Sequence, residues 1–377
     1  MSATKTIALL LFVGTFIAGC GEDIDIIQDC DPRGDLEPIC GIQNPEDMVN
    51  LPEKGFVLIS EYGSFKGEVP GFLTVFDSTK RTLHRLGPFT TAPPELWGAN
   101  ECNTPPGPEF SPHGIDFSIR KDGRFQVLAI NHANGERVEF FELFAGESDA
   151  QQYSAIWRGC VEAPNGASLN SVASIPNDDS GFLATQTYRR DKAVTKLFIA
   201  WNLFTAKFGF ASGGVLRWSD GILSYVPGTT GTFPNGIIVS PDAQTFFVNM
   251  QGVNKLQKFA FAGGDALAVV DMNGHPDNLR WNLDHTKILS ATTRESISVV
   301  IKCMNITSGA CPARAALVEI DAESLIAKDL FENRGPPLGA YTVGIELHDS
   351  YLVGTYASDR VMQVPKSFTA MQSVGSD

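Results

Sequence analysis

Beyond Asn44 the apolar residues fall into short runs in which apolar and polar positions nearly alternate: FVLIS, GFLTVFD, FQVLAINH, GFLATQTY, TFFVNM and SYLVGTY. Gly, Pro, Asn and Asp separate them. Period-two alternation closed by turn formers predicts β-strands with one face on a core. Stretches of helical period are few, and the best of them, RGCVEA and the region around Leu325, are too short to stand as helices.

Longer phrases recur as well: PEDMVNLPEKGFVLIS, SPHGIDFSIRKDGRFQVLAINH, SLNSVASIPNDDSGFLATQTY, PNGIIVSPDAQTFFVNM, HPDNLRWNLDHTKILSATT and AYTVGIELHDSYLVGTY. Each carries a polar or small lead-in, an apolar strand, a turn and a second strand. Their spacing of roughly 40 to 65 residues is that of four-stranded blades, which predicts an all-β, six-bladed β-propeller. A β-sandwich or β-helix is the alternative that strand patterning leaves open. WD and kelch signatures are absent.

The chain opens MSATKTIALLLFVGTFIAGC, with one cation at Lys5 and an apolar run from Ile7 to Ile17. That run is short of the about 20 residues a bilayer span needs, so residues 1–19 read as a secretory signal peptide. Ile17-Ala18-Gly19-Cys20 resembles the lipobox of bacterial lipoproteins, which implies lipidation of Cys20. With Gly rather than Asp at position 21, the destination implied is the outer membrane, facing the periplasm or the cell surface. Ordinary secretion is the alternative. Residues 20–43, rich in Asp, Pro and Gly, read as a flexible tether, and residues 44–377 as one propeller domain.

The net charge of −14 argues against nucleic acid and anionic membrane surfaces as partners, and the lipid is the only membrane contact expected. The oligomeric state is not legible. Besides Cys20 the chain carries an even set of cysteines, Cys30, Cys40, Cys102, Cys160, Cys303 and Cys311, which in an exported chain favours disulfides. Cys303 and Cys311 bracket a short loop and are expected to close it. Cys30 with Cys40 and Cys102 with Cys160 are working assignments among the connectivities that remain open.

In a propeller the lead-in residues of successive blades converge on the central channel. Here they are Glu46, Asp47, His113, Asn170, Asn235, Asp277 and Asn278. Taken singly, Asn235-Gly236 and Asp277-Asn278 read as turn residues and Glu46-Asp47 as a solvated pair. Their shared position points elsewhere. Carboxylate and amide oxygens without thiolates suit Ca²⁺, although Mg²⁺ and Mn²⁺ accept the same donors. A set short of a full shell leaves room for water and a substrate oxygen. His113, between Pro112 and Gly114 at the mouth of a strand, has the ordinary titration range of a general base.

The phrases PEDMVNLP, FSPHGIDF, VLAINHANGERVEFFEL, SLN, PNGIIVSPDAQTFFVN and PDNL, in this order, resemble the paraoxonase/arylesterase family of six-bladed propeller lactonases, within the wider gluconolactonase group. The similarity runs from Asn44 to about Pro365. It implies a catalytic calcium held by Glu46, Asn170, Asn235, Asp277 and Asn278. It also implies a histidine pair, His113 as proton acceptor with His132 behind it, and Phe233 on the pocket wall. The activity implied is hydrolysis of small lactones and aryl esters, with Glu46 or Asp277 as the competing base. No GxSxG elbow occurs, which disfavours a serine hydrolase of the α/β type.

The chain also departs from that pattern. A possible second, structural calcium would use Asp47 and the Ile115 carbonyl, but Ser171 stands where the family has an acid. Gln186-Thr187-Tyr188 replaces an Asn-Asp-His phrase, and Thr292-Thr293 replaces a Cys-His pair. The family's disulfide joining the chain's two ends has no C-terminal cysteine here. These departures leave a gluconolactonase-like sugar-lactone hydrolase and a non-catalytic, calcium-stabilised binding propeller as alternatives.

Overall fold

The computed structural model describes residues 24–64, 67–90, 95–133, 135–145, 149–189 and 210–368. The signal segment and Cys20 lie outside the described residues. Six antiparallel sheets, each of four strands, form the body. The first blade is Pro45–Asn50, Phe56–Glu61, Phe72–Asp77 and Thr82–Leu86, and the second is Pro112–Ile119, Phe125–Asn131, Arg137–Phe144 and Ser154–Glu162. The third blade is Ala167–Ser174, Phe182–Arg189, Gly214–Ser219 and Ile222–Tyr225, and the fourth is Pro234–Val239, Thr245–Met250, Lys255–Ala260 and Ala268–Asp271. The fifth is His275–Trp281, Lys287–Thr293, Ala315–Asp321 and Ala327–Asn333. The sixth is Tyr341–Glu346, Ser350–Thr355 and Arg360–Pro365, completed by Glu37–Cys40 from the start of the chain.

The innermost strand of each blade packs against that of the next, and the sixth returns to the first, which closes a six-bladed β-propeller. The strands form because their alternating apolar residues need a partner face. Met48, Val57 and Ile59 of the first blade bury themselves against Val343 and Ile345 of the sixth. Phe247 of the fourth meets Trp281 of the fifth edge-on, with ring centroids 6.0 Å apart. Each such side chain contributes about 1.5–3 kcal/mol when fully buried. The apolar core therefore lies between blades, and the axis is left to polar groups.

One expectation needs correction. Residues 24–43 are part of the propeller rather than a tether. Glu37–Cys40 pairs antiparallel with Arg360–Pro365, with Ile39 opposite Val361. Ile27, Leu36, Ile39 and Ile42 are buried, and Cys30 is bridged to Cys40. Arg360, fully buried, donates to the carbonyls of Asp29 and Ile27 and to the Asp359 carboxylate. The first described residues are thus held to the last blade by a shared sheet and one guanidinium.

The Cys102–Cys160 and Cys303–Cys311 bridges are also formed. Three disulfides fit a chain that matures in an oxidising compartment. No helix among the described residues is long and apolar enough to cross a membrane.

Candidate active site

All six innermost strands break their ladder at corresponding places. The register slips between Pro45 and Asp47, Pro112 and Ile115, Leu169 and Val172, Pro234 and Ile237, Pro276 and Leu279, and Tyr341 and Val343. Between those pairs sit Glu46, His113, Asn170, Asn235, Asp277 with Asn278, and Thr342. A bulge frees a residue from the ladder and re-aims its side chain. Here it turns the lead-in residues of every blade toward one place.

Side chains of the second strands replace the lost ladder bonds. Thr185 Oγ1 donates to the Asn235 carbonyl at 2.6 Å, and Asn249 Nδ2 donates to that of Asp277. Ser60 Oγ accepts from Asp47 N–H at 3.0 Å. The bulges also bring adjacent blades close. A Cβ on Gly114 would lie 2.4 Å from the Asn170 carbonyl oxygen, and one on Gly236 the same 2.4 Å from that of Asp277.

Glu46, His113, His132, Asn170, Phe233, Asn235 and Asp277 line a single cavity of about 1430 Å³. Asn278 sits beside it, its Nδ2 donating to Glu46 Oε1 at 3.0 Å. Thr342, which sequence reasoning passed over, donates to the Glu46 carbonyl at 2.7 Å. Five oxygens are buried without a hydrogen-bond partner: Glu46 Oε2 and the Oδ1 atoms of Asn170, Asn235, Asp277 and Asn278. Orphaned buried acceptors are costly, about 1–3 kcal/mol each, and in a native fold they call for an occupant. Burial pushes the Asp277 carboxyl well above its ordinary range and the Glu46 charge adds to the push, while hydrogen bonds from Asn235 and Gln251 oppose it. A cation relieves both the orphaned oxygens and the paired negative charges. No group of three or more His, Cys, Asp or Glu suited to a metal occurs among the described residues, because amides supply most of these donors. The donor set is therefore one of hard oxygens, and it fits calcium.

His113 is gripped from both sides. Its Nε2 lies 3.1 Å from Glu46 Oε1, and its Nδ1 lies 2.7 Å from His132 Nε2. His132 Nδ1 in turn lies 2.6 Å from Glu136 Oε2. A carboxylate only accepts, so His132 donates through Nδ1, and as a neutral ring it accepts from His113 through Nε2. Burial alone would lower the His113 pKa, but the Glu46 carboxylate at Nε2, with Asp47 and Glu136 beyond, raises it. Tyr62 packs edge-on to both rings, its centroid 5.2 Å from that of His113 and 5.7 Å from that of His132. Glu136 also escaped the sequence reading. The spacing His-x-x-x-Glu in HANGE was the available signal, but it needs the turn after Asn131 to bring the acid back.

The rest of the cavity wall is largely apolar. Phe233 holds a left-handed backbone, φ 50°, fixed by Ser212 Oγ accepting from its N–H at 2.8 Å, and its ring leans on Tyr188. A short helix, Ile297–Cys303, brings Val300 and Ile301 to the cavity. The Cys303–Cys311 bridge ties its end, and Tyr356 Oη donates to the Val300 carbonyl at 3.0 Å. Among the described lining residues there is no Arg or Lys.

Asp47 and Ile115, the candidates for a second metal, do not join this set. The Asp47 carboxylate accepts from Met48 N–H and Ile115 N–H, both at 2.9 Å, and from Arg280. Arg280 also takes the Ile115 carbonyl at 2.6 Å. Burial pushes Asp47 up to about 7 against the pull of Arg280, with Glu46 adding to the push.

The family described as arylesterase matches this chain over residues 64–361. No curated protein matches the sequence. Among solved structures a luciferin-regenerating enzyme superposes with a TM-score of 0.50 at 11% identity, over 89% of this chain and 97% of its own. A gluconolactonase from Xanthomonas campestris gives 0.49 at 13% identity, over 91% and 98%. Identities this low speak to fold alone.

Proposed function

The chain belongs to the arylesterase family, and on that footing we propose that it is a calcium-dependent hydrolase of lactones and aryl esters. The observation that carries the reading is the set of five orphaned oxygens, on Glu46, Asn170, Asn235, Asp277 and Asn278, gathered in or beside the cavity. These residues would hold the ion. When bound, it would supply a positive field for the carbonyl oxygen and for the charge that develops there as water attacks.

The chain's own groups do the rest. With its Nδ1–H given to His132, the neutral His113 ring carries its lone pair on Nε2, which accepts the proton of the attacking water, and Glu46 Oε1, 3.1 Å away, receives the N–H so formed. Glu136 fixes the tautomer of His132, and His132 fixes the ring of His113. Phe233, Val300 and Ile301 offer an apolar bed to the acyl or aryl part of the substrate and limit water. With no Arg or Lys among the described lining residues and a wall that exposes mostly apolar surface, the cavity suits an apolar lactone better than a polyhydroxylated sugar lactone.

Export and lipid anchoring at Cys20 belong to the same reading, and fatty-acid labelling lost in Cys20→Ser tests them. The substrate assignment is tested with phenyl acetate, an aliphatic lactone and a gluconolactone under calcium. Faster turnover of the first two is expected. Preference for the sugar lactone, or no turnover of any, would overturn the assignment.

A further inference from the structure

The junction beneath the candidate active site holds a buried negative charge whose counterion is already in the sequence. Asp47 lies on the innermost strand of the first blade and is fully buried. A carboxylate there needs a compensating positive charge. Ile115, on the innermost strand of the second blade, turns its carbonyl into the same space. Two oxygens of this kind, with an acid at position 171, would make the start of a cation site.

Arg280 fills it. Its side chain comes from the innermost strand of the fifth blade and is itself buried, with 6% of its surface exposed. One guanidinium nitrogen, Nη2, donates both to Asp47 and to the Ile115 carbonyl. Nε donates to the Met48 carbonyl at 2.6 Å, and Nη1 to the Leu279 carbonyl at 3.0 Å. Both Asp47 oxygens are then satisfied, in contrast to the five orphaned oxygens of the site above. Position 171 is a serine whose hydroxyl oxygen accepts from Ile237 N–H at 3.4 Å, so that position supplies no acid for a metal. The planar fork of a guanidinium satisfies several acceptors at once, as a compact ammonium would not.

We infer that Arg280 is the structural cation of this propeller: its guanidinium occupies the junction of the first, second and fifth blades in place of a second metal ion, so the channel and this junction together hold no more than one metal ion. The inference stands beside the channel-calcium reading and does not depend on it. A fixed side-chain cation also means that a chelator leaves this junction intact.

The test counts metal. The wild type and the channel variant Asp277→Ala are equilibrated with calcium chloride, passed through gel filtration and assayed for bound calcium by mass spectrometry of the element. One ion per wild-type chain and none in Asp277→Ala are expected. Two ions in the wild type, or one that persists in Asp277→Ala, would overturn the inference. A wild type that binds none removes the channel metal and leaves Arg280 as the sole axial cation. In a second measurement, Arg280→Ser should melt roughly 5–10 °C below the wild type, since it strands a buried carboxylate. Combined with Ser171→Asp, it should show a larger calcium-dependent rise in melting temperature than the wild type, whose rise comes from the channel site alone. An Arg280→Ser variant as stable as the wild type without added metal contradicts the inference. If neither Arg280 variant folds, the metal count in wild type and Asp277→Ala decides alone.

Discussion

Nδ1 of His113 lies 2.7 Å from Nε2 of His132, and the outer nitrogen of each ring faces a carboxylate, Glu46 for His113 and Glu136 for His132. The row joins a buried acid of the first blade to an acid in the turn after the second strand of the second blade. A proton accepted at one end is thereby accommodated by a fixed set of donors and acceptors, with no side-chain reorientation.

Replacing His113 by Gln should lower kcat by about 100-fold or more, the usual yield of a positioned general base, with calcium affinity changed little. His132→Gln should cost less, because the base itself remains. Steady-state kinetics alongside calcium binding check both. Wild-type rates in His113→Gln would make that ring structural and move the role of base to a carboxylate.

Glu136→Gln removes the acceptor that sets the His132 tautomer without changing the shape of the turn. Losses of about 10-fold in kcat with KM nearly unchanged are expected, because such supporting contacts act on ring orientation rather than on substrate binding. A change confined to KM would place Glu136 in the pocket wall instead.

Gly236 tests the close approach of blades. Its substitution by Ala puts a methyl group 2.4 Å from the Asp277 carbonyl oxygen, whereas nothing lies within 4 Å of a Cβ on Gly107. Gly236→Ala should destabilise by about 1–3 kcal/mol and weaken calcium binding, while Gly107→Ala should do neither. Thermal melts with and without calcium read both effects.

Much of this was legible in the sequence because propeller blades are local. Alternation marked the strands, and the recurring phrases placed Glu46, His113, Asn170, Asn235 and Asp277 at equivalent positions before any distance was known. What stayed hidden depends on contacts between residues far apart in the chain. The pairing of Glu37–Cys40 with Arg360–Pro365 joins the first described residues to the last blade, and a short strand with few apolar residues reads locally as a tether. Arg280 sits directly after PDNL, yet nothing local says that its guanidinium reaches Asp47 and Ile115. Glu136 and Thr342 were missed for the same reason, since each acts on a neighbour that only the fold supplies.

Closure of the ring can be tested at Arg360, whose buried guanidinium holds the carbonyls of Ile27 and Asp29. Arg360→Ala should lower stability by about 2–4 kcal/mol, because it leaves several buried acceptors unpaired. The residues before Glu37 should also become susceptible to protease. Unchanged denaturant midpoint and cleavage pattern would show that the Glu37–Cys40 strand and the Cys30–Cys40 bridge suffice.

The most direct test of the central claim is phenyl acetate turnover followed as free calcium is raised over chelated protein, for the wild type and for Asn235→Ala and Asp277→Ala. Wild-type turnover is predicted to rise from near zero and saturate along the calcium-binding curve, with both variants inactive and binding calcium at least about 100-fold more weakly. Full wild-type activity under chelation, or full activity in both variants, would contradict it.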